Sequence, residues 1–245
     1  DFTFSGIALL IVNGLTNLIA AVLLFRNRKS GIILGGVFGV TLMLWILIQF
    51  YIFPFNFMST IFFVFGLCHA AWIFRCQETF ASDFDPAAYP HIGSDPRRLV
   101  VYFSRMGYVK KQAYMEADRT GAVLYEICAT ERTAGTLGFW WCGRFGMHRW
   151  EMPIQPIGID LAAYDHVTIC TPIWVFALAA PVRAFCHQEG GKLRAQTIDY
   201  ILVHHTNGIY ENAAREMDTL LGATHTGLRS ICCHAGRYRD RAVKE

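Results

Sequence analysis

Asp160-Leu-Ala-Ala-Tyr-Asp-His-Val-Thr-Ile-Cys-Thr-Pro-Ile-Trp174 decides the fold. Inside it, Asp165–Cys170 is a strand-type run, and Pro181–His187 follows as a helix with proline in its first turn. Working outward, Asp199–His204 reads as the next strand and Leu228–Cys233 as the last. Between them Tyr210–Leu221 repeats Ala213, Ala214, Met217, Leu220 and Leu221 at helical spacing and stops at Gly222. Upstream, Leu99–Phe103 and Ala122–Ala129 are strands, separated by a helix over Lys110–Thr120 that Gly121 closes. Five strands separated by helices predict an α/β domain with a doubly wound parallel sheet. Such sheets bind ligands beyond the carboxyl ends of their strands.

Two stretches carry a family resemblance. Val100-Val-Tyr-Phe-Ser-Arg-Met-Gly-Tyr-Val-Lys110 resembles the first strand and phosphate loop of the flavodoxin family, which reads roughly S/T-x-T-G-x-T. Asp160–Trp174 resembles that family's third strand and the aromatic loop covering the flavin, and Ala180-Pro-Val-Arg183 the start of the next helix. The resemblance spans about residues 98–234 and implies a five-stranded sheet of order 2-1-3-4-5, with FMN at the ends of the first, third and fourth strands. The cofactor-binding positions it implies are Ser104, Arg105, Met106, Gly107, Tyr108 and Val109 in the first loop. Thr171, Pro172, Ile173 and Trp174 are those of the second, and Thr206, Asn207 and Gly208 those of the third.

Each loop also departs from the family pattern. An FMN phosphate is held by N–H groups at a helix N-terminus and by several hydroxyls, yet two hydroxyl positions hold Met106 and Val109, and Tyr108 replaces a small polar residue. Lys110 and Lys111 follow on the first helical turn, where lysines are ordinarily solvated. The small, glycine-containing turn expected after Trp174 is Val175-Phe-Ala-Leu178, and the third loop, His204-His-Thr-Asn-Gly-Ile-Tyr210, has one glycine. These departures predict an eroded FMN site. His204 and His205 should point to opposite faces and not share a metal.

Two features point to a surface. Phe139-Trp-Trp-Cys-Gly-Arg-Phe-Gly-Met-His-Arg-Trp150, expected as a loop, has the composition of an interfacial membrane segment or a protein contact. After the last strand Arg237, Arg239, Arg241 and Lys244 make the chain polar, so the family's final helix is expected to be absent or very short and one sheet face open.

The first 75 residues are different in kind. From Phe2 to Ile73 the only charges are Arg26, Arg28 and Lys29. A membrane helix needs about 20 apolar residues, so residues 1–75 are expected to form a three-helix transmembrane segment: Phe4–Phe25, Gly31–Ile52 and Phe55–Ile73. Tyr51-Ile-Phe-Pro-Phe-Asn56 should form an aromatic hairpin tip at one interface. The basic cluster and Arg75 mark the other side, which predicts an N-terminus outside and everything after residue 75 in the cytoplasm. Gly31, Gly35 and Gly39, with Gly36 beside them, form a small-residue face that packs the bundle or docks a partner helix. Asn13, Thr16 and Asn17 are expected to bond between helices, and His69 to be a hydrogen-bonded interfacial side chain.

Residues 76–97, broken by Pro86, Pro90 and Pro96, read as a linker to a domain over 98–245. The eight cysteines follow no regular spacing, which suits a reducing compartment. A net charge of +3 without a basic patch interleaved with aromatics argues against nucleic acid. Together these readings predict a membrane-anchored, flavodoxin-like accessory subunit of a larger membrane complex, held by integral-membrane partners at the glycine face and the Phe139–Trp150 segment. The alternative is a membrane-tethered FMN-dependent electron carrier or quinone-linked oxidoreductase, akin to flavodoxin-like protoporphyrinogen oxidases.

Overall fold

A computed structural model describes residues 6–7, 10–26, 30–52, 57–80, 85–234 and 237–242. The chain divides into two compact units, Asp1–Phe80 and Ala81–Glu245.

In the first unit a π-helical segment, Leu10–Leu15, runs into α1 (Thr16–Phe25), followed by α2 (Ser30–Ile52) and α3 (Phe57–Phe80). Among the described residues one helix, Ile33–Ile52 within α2, is long and apolar enough to cross a membrane, where three were expected. Phe57–Ala71 is a shorter apolar stretch within α3. Leu10–Leu23 is a second shorter apolar stretch among the described residues. Of the expected tip, Tyr51 and Ile52 end α2 and residues 53–56 lie outside the described residues, as do the cations Arg28 and Lys29 and the Asn13 side chain. Thr16 donates its hydroxyl to the Val12 carbonyl of its own helix instead of bonding between helices.

The glycine face divides. A Cβ on Gly39 would come 2.8 Å from the Gly66 carbonyl and 2.7 Å from the His69 Cβ, so α2 and α3 cross in near backbone contact there. Nothing lies within 4 Å of a Cβ on Gly35.

The second unit is a seven-stranded mixed sheet with helices. Its elements are β1 (Asp95–Tyr102), α4 (Tyr108–Thr120), β2 (Ala122–Glu126), α5 (Gly135–His148), β3 (His166–Trp174), β4 (Ala177–Leu178), α6 (Ala180–Leu193), β5 (Thr197–His204), α7 (Glu211–Leu221), β6 (Gly227–His234) and β7 (Arg237–Ala242). The order is β2-β1-β3-β5-β6-β7, with β4 paired to β3. Five strands are parallel and keep the sequence 2-1-3-4-5 among themselves, which fits a flavodoxin-like fold. The whole sheet differs from the five-stranded expectation by two antiparallel strands, β4 and β7.

Three sequence expectations are corrected. The Phe139–Trp150 loop is the greater part of helix α5 and its C-terminal exit. The polar tail forms strand β7, since Arg alternating with Tyr238, Asp240 and Ala242 suits an edge strand with one side in water. The expected linker is shorter, because α3 runs to Phe80 and β1 starts at Asp95.

Strand residues alternate between two faces. Leu99, Val101, Val167, Ile169, Ile198, Tyr200 and Leu202 pack with Val182, Phe185, Met217 and Leu221 of α6 and α7 in one core. The opposite face lies under α4, where Ala113 and Ala117 are fully buried. Beside α4, on the face expected to be open, Arg229 of β6 reaches the buried Glu116 at 3.3 Å, and the Tyr238 hydroxyl of β7 donates to the Tyr108 carbonyl at 3.2 Å.

Candidate functional site

The carboxyl ends of β1, β3 and β5 bring the three predicted loops to one edge of the sheet. In the first loop Gly107 takes φ 84°, a left-handed conformation that disfavours a side chain, and its N–H donates to Ser104 Oγ at 3.0 Å. Lys111 N–H to the Gly107 carbonyl is the first helical bond, so the N–H groups of residues 108–110 have no partner within the helix. That backbone suits a phosphate.

The side chains do not complete the cradle. Tyr108 and Val109 turn inward and are buried. The Tyr108 ring meets His205 edge-on at 5.4 Å, and burial pushes its phenol up to about 12. Arg105 leaves the loop altogether. Its Nε donates to the Thr133 carbonyl and its Nη2 to the Gly135 carbonyl, both at 2.7 Å, and its guanidinium lies over Phe139. It ties the loop to the start of α5. Met106 stays half-buried. Lys110 lies 3.9 Å from Glu126 and over the Tyr114 ring, and Lys111 lies over the Tyr238 ring.

In the second loop Thr171, Pro172, Ile173 and Trp174 belong to strand β3 and not to a loop beyond it. Trp174 meets Phe103 edge-on at 5.5 Å and packs against Cys142, Phe145, Met152 and Ala180. A Cβ on Gly146 would come 3.2 Å from the Trp174 Cβ and 3.3 Å from its carbonyl oxygen, so α5 passes close to the end of β3. β3 then turns back into β4 through Val175 and Phe176, both at positive φ (48° and 60°), with Trp174 opposite Ala177. This two-residue hairpin geometry normally calls for Asn-Gly. A β-branched residue there is a backbone outlier, and the Asn212 amide holds the turn by donating to the Phe176 carbonyl at 3.3 Å.

The third loop folds on itself. Thr206, Asn207 and Gly208 are exposed. The Tyr210 hydroxyl bonds Thr206 Oγ1, and a Cβ on Gly208 would meet the Tyr210 ring at 3.1 Å. His204 is buried: its Nδ1 donates to the Thr206 carbonyl at 2.7 Å, and its Nε2 lies 2.8 Å from Ser230 Oγ, which donates to the Ile209 carbonyl. His205 instead bonds the Cys233 carbonyl, so both histidines reach β6 but at different residues.

FMN therefore fits in part. The α4 N-terminus offers backbone donors for a phosphate. The surfaces that would take the ring are occupied by the chain itself, with Trp174 packed against α5 and Tyr210 against Gly208. Sequence reasoning missed Arg183, which joins α6 to Glu216 of α7 and to the Trp150 carbonyl. Its place in Ala180-Pro-Val-Arg183, beside a resembling strand, was the available signal.

No family model and no curated protein matches this chain. Among solved structures it is similar to a flavoprotein in complex with FMN from Lactobacillus acidophilus NCFM, at 20% identity and TM-score 0.46, covering 56% of this chain and 93% of that one. A WrbA-like flavodoxin from Agrobacterium tumefaciens is similar at 18% identity and TM-score 0.38, covering 54% and 74%. The apo-form of the Lactobacillus acidophilus NCFM flavoprotein is similar at 16% identity and TM-score 0.43, covering 55% and 91%. The strand order and the parallel crossovers, rather than these likenesses, give the domain its fold class.

Proposed function

We propose that the protein is a membrane-anchored, flavodoxin-like accessory subunit whose α/β domain binds FMN weakly or not at all and serves as a docking body within a larger membrane complex, an electron-transfer complex by the family resemblance. The observation that carries this reading is how the chain uses all three loops for itself: Tyr108 and Val109 are buried and Arg105 turns away to Thr133 and Gly135, Trp174 packs against Cys142 and Phe145 of α5, and Tyr210 lies against Gly208. The apolar helix Ile33–Ile52 supports attachment to a bilayer. Arg26, Arg28, Lys29 and Arg75 support an N-terminus outside and the α/β domain in the cytoplasm. The open side of Gly35 supports a partner helix.

The full chain, purified in detergent and dialysed against FMN, is expected to show no stoichiometric flavin absorbance. A one-to-one flavin band that survives gel filtration overturns the accessory reading in favour of the electron carrier. What favours that second reading is the α4 N-terminus, where Gly107 and Ser104 keep a phosphate-competent backbone.

A further inference from the structure

We infer that the outer face of α5 is a docking surface for an anionic lipid bilayer, a role that rests on the membrane attachment proposed above.

Helix α5 is apolar on both sides. Gly138, Cys142, Phe145 and Gly146 face the domain and are buried. The opposite stripe, Leu137, Trp140, Trp141, Arg144, Met147 and His148, follows the spacing of one helical face and is exposed throughout. Leu137 and Met147 are 65% exposed and Trp140 is 66% exposed, values that an ordinary solvent-facing helix reaches with Lys or Glu. The neighbouring β3–β4 turn adds Phe176, also 65% exposed.

The charge pattern selects a lipid surface over a protein groove. The helix has no acidic residue. Arg144 lies 5.6 Å over both the Trp141 and Trp150 rings, and His148 stacks on Trp150 at 4.4 Å. Indoles paired with cations match the headgroup level, where rings sit in the acyl boundary and guanidinium groups meet phosphates. Arg132 and Arg149 flank the helix. The acids nearby are already engaged: Glu131 accepts from the Trp141 indole at 3.1 Å, Glu151 faces His187 and Glu216 faces Arg183. The chain that carries this surface also carries Ile33–Ile52. A bilayer that takes up that helix tethers this domain through the same chain.

The test uses the full chain in nanodiscs of phosphatidylcholine with phosphatidylglycerol, made with plain lipid or with lipid brominated near the headgroup or deep in the chains. Tryptophan emission of the protein is compared with that of Trp140→Phe and Trp45→Phe, whose difference spectra isolate one indole each. The expected result is Trp45 quenched by deep bromine and Trp140 quenched at least twofold by shallow bromine. The Trp140 quenching should weaken when phosphatidylglycerol is omitted or salt is raised. Trp45 quenched with Trp140 unquenched overturns the docking surface alone. Trp140 unquenched in nanodiscs but shielded in native membranes assigns α5 to a protein partner and also overturns it. Trp45 unquenched, or a protein that does not enter nanodiscs, overturns both the docking surface and the membrane attachment beneath it.

Discussion

Arg183 Nε lies 2.5 Å from Glu216 Oε1, in a pair whose arginine side chain is 5% exposed. The same guanidinium donates through Nη1 to the Trp150 carbonyl at 3.0 Å, so one side chain fastens α6 to α7 and to the exit of α5. Removing Glu216 leaves the buried guanidinium without a compensating carboxylate, whereas Glu216 without Arg183 keeps Arg149 at 3.8 Å. Glu216→Leu is therefore expected to destabilise the domain by about 3–5 kcal/mol, and Arg183→Met by less. Urea unfolding of the full chain in detergent, followed by near-UV signals, checks this.

The β3–β4 turn has the opposite prospect. Val175 and Phe176 both hold positive φ, a conformation that costs on the order of 1–3 kcal/mol for side chains of this kind. Asn-Gly adopts it readily. Val175→Asn with Phe176→Gly is expected to stabilise the domain by about 1 kcal/mol, raising its midpoint by about 2–4 °C. Calorimetry on the double variant is the check, and an unchanged midpoint would show that Asn212 already compensates the strain.

The parallel strands were legible because each is a short β-branched run bounded by turn residues, as Val167-Thr-Ile-Cys170 is. Helix α5 was not, because Phe139-Trp-Trp-Cys142 is apolar on every side and gives no contrast at helical period. Strand β7 failed for the converse reason: Arg237-Tyr-Arg-Asp-Arg241 looks like a solvated tail until β6 supplies its hydrogen bonds. At the site, the loop positions and the loss of hydroxyls could be read directly. Where Arg105, Trp174 and Tyr210 would turn could not, since Thr133, Phe145 and Gly208 lie on other elements or across a loop. The missing glycine after Trp174 was legible, and it marks the strained Val175.

Alkaline pH should loosen the domain before its charged pairs are affected. Burial pushes the Cys142 thiol up to about 11, against the opposing pull of Arg105, and the Tyr108 phenol up to about 12. Both groups hold their protons more tightly folded than unfolded. Their contribution is therefore fully present below the model-peptide values of 9.0 and 10.0 and is lost as pH rises through the folded ones. The urea midpoint is expected to fall between about pH 9 and 12, and Cys142→Ala should flatten the lower part of that fall. At pH 8 Cys142 should resist iodoacetamide while the exposed Cys128 reacts.

In the apolar unit the two glycines of one helix should behave differently. A side chain at Gly39 would run into the Gly66 carbonyl at 2.8 Å, a backbone atom that cannot rotate away. Gly39→Leu must push α2 from α3, and overpacking of this kind costs about 1–3 kcal/mol or more. Gly35→Leu meets open space within the chain and should leave the purified unit's thermal stability unchanged in detergent. If a partner helix occupies that side, the same substitution should abolish recovery of the partner from solubilised membranes while the protein itself stays folded. Loss of stability from Gly35→Leu in the purified protein would place the Gly35 side inside the bundle and remove the case for a partner there.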